Sequence, residues 1–292
     1  MAERNIELGD FLRRARSRVD PSRAGLPVDG RVRRVPGLRR EEVALLAGMS
    51  TDYYTRMEQG RATNPSAAVV AGVGRALGLD DTEQAYLRHL CGGRPARPSR
   101  VAPVQRVRPG LHRLADALAS QPVLVLGRRA QVLASNRLAR ALFADFDRMP
   151  ARERNYAVWM LLTPEARQLF VDWDLHARAA VETLRLDHAR HPDDRDTNDL
   201  ITMLQERSGS FRTWWSAHGV YQRTHGTKRL HHPVVGELEV GYETFALPDD
   251  PDQTVFVYSA DPGSASSDAL ELLAGWATPA PVTNRHPAPR TP

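Results

Sequence analysis

At 292 residues and 41% hydrophobic content, the chain has enough apolar material for two folded domains, which excludes wholesale disorder. Its single cysteine, Cys91, excludes an intrachain disulfide framework and a multi-cysteine zinc site, and no apolar run nears the ~20 residues needed to span a bilayer. The net charge of +5 is segregated: residues 1–100 carry 18 arginines against 12 carboxylates, and the rest carries 22 basic against 23 acidic residues. Clustered arginine of this kind is the electrostatic footprint of a module that meets a phosphate backbone. The first ten residues lack the basic-then-apolar pattern of a signal peptide, so a soluble, cytoplasmic protein without a membrane partner is expected.

Five short helices are predicted before residue 92. Leu8, Phe11, Leu12, Ala15 and Val19 fall at helical spacing, as do Val43, Leu46 and Ala47, then Tyr54 and Met57, then Val69, Val70, Val73, Ala76 and Leu77. The last helix runs from about Asp81 to Leu90, with Asp80 and Glu83 as a capping box; Asn64 before Pro65 reads as the cap of the fourth. The Gly-, Pro- and Arg-rich stretch over 93–108 cannot hold a long helix and separates this domain, 1–92, from a second one over 109–277. In the second, Val123–Leu126 and Gln131–Ala134 form a hairpin, and Asn136 caps a helix carrying Leu138, Leu142 and Phe143. Further helices start at Thr163-Pro164-Glu165 and cover 174–190 and 197–208. Strands follow at His232–Val235, Leu238–Thr244 and Val255–Ser259, with Gly236-Glu237 and Pro248–Pro251 as turns, then a helix from Ser267 to Trp276 and a Pro-rich disordered tail over 278–292. The fold class expected is therefore an all-α N-terminal domain joined to an α+β C-terminal domain.

The segment Arg40–Gln59 meets the size demands of a helix-turn-helix at fixed offsets. Ala44 is small where the two helices approach, Gly48 supplies the turn, and Tyr54 and Met57 are apolar where the second helix turns inward. Ser50 can cap that second helix, which leaves Thr51, Asp52, Tyr53, Thr55 and Arg56 facing outward. The set, with helices before and after it, resembles the five-helix DNA-binding domain of the xenobiotic-response-element class. That resemblance implies base reading by Thr51, Asp52, Thr55 and Arg56 and phosphate contact by Arg40 and Arg61. Ser50, Tyr53, Arg34 and Arg39 complete the DNA-contact set. Its partner would be a double-stranded operator, bound by a homodimer with its two helices in successive major grooves.

Arg23, Arg31, Arg33 and Arg34 lead into Val35-Pro36-Gly37-Leu38-Arg39-Arg40-Glu41-Glu42-Val43, and this insertion resembles the MmyB-like regulators of actinobacteria. Val132–Leu142, His232–Leu238 and Leu247–Gln253 resemble stretches of the sensor domain in the same group. The resemblance implies a PAS-like second domain with a cavity for a fatty acid or similar small apolar effector.

From the residues alone, the second domain mixes aromatics with cations in the manner of a pocket with an apolar body and an anion-holding end. The candidates are Arg154, Trp159, Arg178, Trp214, Trp215, Lys228, His232 and Tyr242; Lys228 is the sole lysine among 40 basic residues. The competing reading is that the tryptophans fill a core and the arginines solvate a surface. A protein partner docked on an exposed aromatic face is the alternative to a small effector. His188-x-x-His191 and His231-His232 lack carboxylates or cysteines at ligand spacing, and Gly72-x-Gly74-x-x-x-Gly78 lacks a preceding strand, so neither a metal nor a cofactor is expected. With no Gly-x-Ser-x-Gly elbow or P-loop, an enzyme is not expected either.

Overall fold

The computed structural model describes residues 5–24, 37–62, 64–92, 104–151 and 153–277. The N-terminal domain comprises α1 (Ile6–Arg18), α2 (Arg40–Ala47), α3 (Thr51–Glu58), α4 (Ala67–Ala76) and α5 (Asp81–Cys91). Short polar side chains start four of them: Asn5, Ser50, Ser66 and Asp80 accept from the backbone N–H groups of Leu8, Tyr53, Val69 and Glu83. The cap of α4 is thus Ser66 and not Asn64, which sits two residues earlier in left-handed backbone, a conformation asparagine tolerates. The Glu83 carboxylate accepts in return from Asp80 N–H, completing the expected capping box. Leu8, Phe11, Leu12, Val43, Tyr54, Met57, Val73, Tyr86 and Leu87 fill the core, with Phe11 edge-on to Tyr86 at 5.0 Å.

The C-terminal domain runs α6 (Pro109–Ala117), β1 (Val123–Leu126), β2 (Val132–Ser135), α7 (Arg137–Leu142), α8 (Tyr156–Leu162), α9 (Pro164–Leu169), α10 (Trp173–Arg190), α11 (Arg195–Arg207), α12 (Gly209–Ser216), β3 (His225–His232), β4 (Gly236–Leu247), β5 (Asp250–Ser259) and α13 (Ala265–Ala277). Its sheet is antiparallel throughout, in the order β2-β1-β5-β4-β3. Leu124, Leu126, Leu230, Leu238, Val240, Tyr242, Phe256 and Tyr258 point to the main helical core. On the opposite face, Leu111 and Ala115 of α6 cover Val123, Val125, Ala134 and Val255. Being covered on both faces is why β1 is an unbroken Val-Leu-Val-Leu run rather than an alternating one.

Asn136 ties the start of this domain together. Its side chain donates to the carbonyls of Ala115, Leu118 and Gln121 and accepts from the N–H groups of Val123 and Ala139, so the cap of α7 also fixes α6 and β1. The predicted hairpin is present with β2 shifted by one residue, and three helices went unread: α6, α8 and α12. The last sheet strands differ more. Pro233, Val234 and Val235 form the turn between β3 and β4, and the strand before that turn is the polar His225–His232 rather than His232–Val235. The turn between β4 and β5 shrinks to Pro248-Asp249. Residues 104–108 lie extended along the C-terminal domain, where the Gln105 side chain accepts from Arg128 N–H at 2.7 Å; 93–103 and the tail over 278–292 fall outside the described residues.

Candidate DNA-reading surface and ligand site

The helix-turn-helix is built as its residue sizes require. Ala44, Tyr54 and Met57 are buried, and Gly48 has φ of +69°, where glycine avoids the cost of a Cβ. Gly60 ends the turn after α3 at φ of +67°, and a Cβ there would strike Asn5 O. Outward from α3, Thr51, Asp52 and Arg56 are exposed and Tyr53 and Thr55 half-buried, with the Arg56 guanidinium 5.5 Å from the Tyr53 ring centroid. Arg61 is exposed just beyond the helix. Ser50 is occupied as the cap, accepting from Tyr53 N–H at 3.2 Å. Arg34 lies outside the described residues.

The angle of α3 is held by an acid the sequence pattern did not single out. Glu58 is buried and accepts hydrogen bonds from Arg16 of α1 at 2.9 and 3.1 Å and from Arg40 of α2 at 2.9 and 3.0 Å. Burial alone would raise its carboxyl pKa, but the two guanidiniums overbalance that and hold it below the usual range. Arg40, assigned to phosphate from the sequence, therefore also clamps the motif from within, while its side chain stays 47% exposed. Arg39 starts α2 by donating its backbone N–H to Glu42 at 2.6 Å.

In the C-terminal domain the ligand candidates separate. Lys228, Tyr242 and Trp159 stay in one aromatic core with Phe143, Phe146, Tyr156, Phe170 and Tyr258. Lys228 is only 2% exposed; its ammonium lies 4.9 Å from the Tyr242 ring centroid, 5.4 Å from that of Phe170 and 3.4 Å from His176 Nδ1. Arg223, also buried, stands over the Tyr156 ring at 5.3 Å and donates to His176 O at 3.2 Å. Among the described residues no carboxylate forms an ion pair with either cation. Burial, with Arg223 close by, drives the Lys228 pKa well below the usual ammonium range, and burial beside Lys228 and Arg223 drops His176 to about 3.

The remaining candidates do not join this group. Arg178 is on the outer side of α10, paired with Glu182 at 2.8 Å, and Arg154 is bound to the Asp147 and Met149 carbonyls. His232 contacts Ala141 O at 3.0 Å. Trp214 packs on Trp173 at 5.8 Å, and Trp215 lies where the two domains meet. A concavity of about 600 Å³ opens elsewhere, between α6, α7 and α13, lined by Asp116, Arg137, Arg140 and Ala274 among others. The histidines read for metal are also apart: His188 is near Glu7, His191 pairs with Asp252 at 3.0 Å and His231 is exposed. Among the described residues no group of three metal-ligating side chains occurs. Cys91 is buried, and burial pushes its thiol up to about 12. No described helix is long and apolar enough to cross a membrane.

Residues 7–87 match the profile of a helix-turn-helix domain, and residues 107–273, more than half the chain, match that of the MmyB-like transcription regulator ligand binding domain. No individual curated protein matches the chain. Both matched domains are regulatory rather than enzymatic, and the chain belongs to the MmyB-like transcription regulators, joining a DNA-binding head to a ligand-binding domain.

Proposed function

We propose that the chain is a homodimeric repressor released or engaged by an amphipathic carboxylate of the fatty-acid type. The observation that carries the ligand class is the pair of buried cations, Lys228 and Arg223, set in an aromatic core without a carboxylate partner. Basic groups buried without an acidic partner are costly to keep charged, so the site favours an anion that brings its own apolar body. A carboxylate would sit against Lys228 and Arg223 while its chain displaced or parted the rings of Phe170, Tyr242 and Trp159. Burial lowers the Lys228 pKa, and a carboxylate bound beside it would raise it again. Calorimetric titration with dodecanoate measures the affinity. Binding that is unaffected by Lys228→Met would reject this site.

On the DNA side, the exposed Thr51, Asp52 and Arg56 of α3 supply base contacts, and Arg40, Arg39 and Arg61 supply phosphate contacts. A duplex selected from random sequence by the intact protein provides the operator. On it, Arg56→Ala should lose discrimination at one base position, whereas Arg61→Ala should weaken all duplexes alike and flatten the salt dependence. A second copy of the chain is expected because paired heads read paired half-sites. Leu272 and Trp276, 68% and 70% exposed one turn apart on α13, offer an apolar face for it. Native mass spectrometry of the wild type and of Trp276→Lys tests the dimer. Repression is favoured because a bound dimer blocks a promoter without a further partner.

A further inference from the structure

Two helices of the head and two of the ligand-binding domain meet at a seam that neither activity explains. The head presents two carboxylates one turn apart on α1, Glu7 and Asp10, with Tyr86 of α5 donating its hydroxyl to Glu7 at 2.8 Å. Facing them are the basic side chains of the other domain: Arg185 and His188, one turn apart on α10, and His218 after α12. Arg185 donates to Glu7 at 3.2 Å and lies 3.3 Å from His218 Nδ1, and His218 Nε2 is 3.7 Å from Asp10. Leu186, next to it in sequence, is buried in the hydrophobic core of the head, with Ala189 and Val220 packed beside it.

Arg185 is the centre of this seam. It is 1% exposed, the largest fully buried side chain in the described protein. Its guanidinium stacks 4.0 Å from the centroid of Trp215 and also donates to Trp215 O. Trp215 in turn lies parallel to Phe211 at 5.2 Å, inside the core of the ligand-binding domain. One cation is thus held by a ring of one domain and by a carboxylate of the other. A half-buried salt bridge between folded bodies is weak unless its geometry is fixed from both sides, and Trp215 and Tyr86 fix it here. The contact is made on α1 and α5, while Thr51, Asp52 and Arg56 of α3 stay exposed, so the seam sets the direction of the reading helix without covering it.

We propose that Arg185 is a positioning residue that latches the DNA-binding head to its own ligand-binding domain, and that this latch, rather than the connecting segment, sets the orientation of the head. Where it is described, over 104–108, the stretch between the domains is tied by Gln105 to the ligand-binding domain, at Arg128 N–H and Asp252 O. Movement of Trp215 or of α10 would loosen the head through this one side chain. The inference is independent of which ligand the domain takes.

The test is a distance measurement on the full chain. Spin labels are placed at Arg75→Cys in the head and Glu206→Cys on α11, both exposed positions, and labelled protein is diluted into unlabelled protein so that only distances within one chain are read. The native Cys91 is buried and stays unlabelled. The wild type should give one narrow distance distribution. Arg185→Met, which keeps the stem volume and removes the charge, should at least double its width, and Arg185→Lys, which keeps the charge but not the stack, should fall between. A distribution equally narrow in Arg185→Met overturns the proposal. If Arg185→Met fails to fold by circular dichroism, the head-side double variant Glu7→Ala with Asp10→Ala leaves the other domain untouched. Broadening there supports the latch, and an unbroadened distribution rejects it.

Discussion

In the head, the buried charge is Glu58, and two guanidiniums from two other helices close on it. In the ligand-binding domain, the buried basic side chains are Lys228 and Arg223, and they face aromatic rings and a histidine. Desolvation acts on both regions, but only the first returns its cost through opposite charges. A satisfied buried ion fixes the geometry of the elements that supply it, here α1, α2 and α3. An unsatisfied one is a standing preference for an anion from outside.

The sharpest way to break that contrast is to delete each charge. Glu58→Ala leaves Arg16 and Arg40 facing an emptied site and should cost the head about 3–5 kcal/mol, the usual penalty for removing one member of a buried pair. Chemical denaturation followed by circular dichroism measures it. Lys228→Met should move the other way, leaving stability unchanged or raised, while weakening dodecanoate at least tenfold. Destabilisation by Lys228→Met would mean that the lysine is already satisfied.

Acid separates the regions further. His176 and His218 are held at about 3 and about 4 in the folded chain, by burial first and then by the neighbouring cations Lys228 and Arg223 or Arg185. Below the ordinary histidine pKa near 6.5 the unfolded chain takes up protons that the folded chain does not, so their contribution is complete above that pH and is lost as the pH falls from there towards 4 and 3. Glu58 has a lowered carboxyl pKa, so its clamp persists until the unfolded carboxylate range near 4.3 and fails below it. Stability of the ligand-binding domain should therefore decline from about pH 6.5, before the Glu58 clamp begins to fail. His176→Asn should flatten the first part of that decline, read as the urea midpoint between pH 7 and 5. The smallest change is at the motif: Ser50→Ala removes the cap of α3 and should cost ~0.5–2 kcal/mol, with a parallel loss of DNA affinity.

The head was legible because its constraints are local. Ala44, Gly48, Ser50, Tyr54 and Met57 each answer a demand made by residues within one helical turn or one tight turn. Its clamp was not, since Glu58 meets Arg16 across 42 residues and nothing in its own neighbourhood distinguishes it from a solvated acid. In the second domain, β3 hid behind six polar outward or paired residues, while the β-branched Val234-Val235 beside it imitated a strand that Pro233 converts to a turn. The apolar helix α8, Tyr-Ala-Val-Trp-Met-Leu-Leu, is buried on nearly every side and so carries no periodicity. Lys228 stood out by rarity alone; its partners His176 and Arg223 looked like any of the ten histidines and many arginines.

The strand order has a consequence for how the chain is made. β1 pairs with β5, and Val123 meets Val257 in the middle of the sheet. During synthesis the head can form its five described helices once the first 91 residues have emerged, and Leu186 of α10 joins its core later. The sheet cannot: until residue 259 has emerged there are only two hairpins, β1 with β2 and β3 with β4, with no strand to join them. A chain ended before β5 would thus carry the helices of the DNA-binding head on an open, apolar half-sheet, the form that proteolysis is best placed to remove.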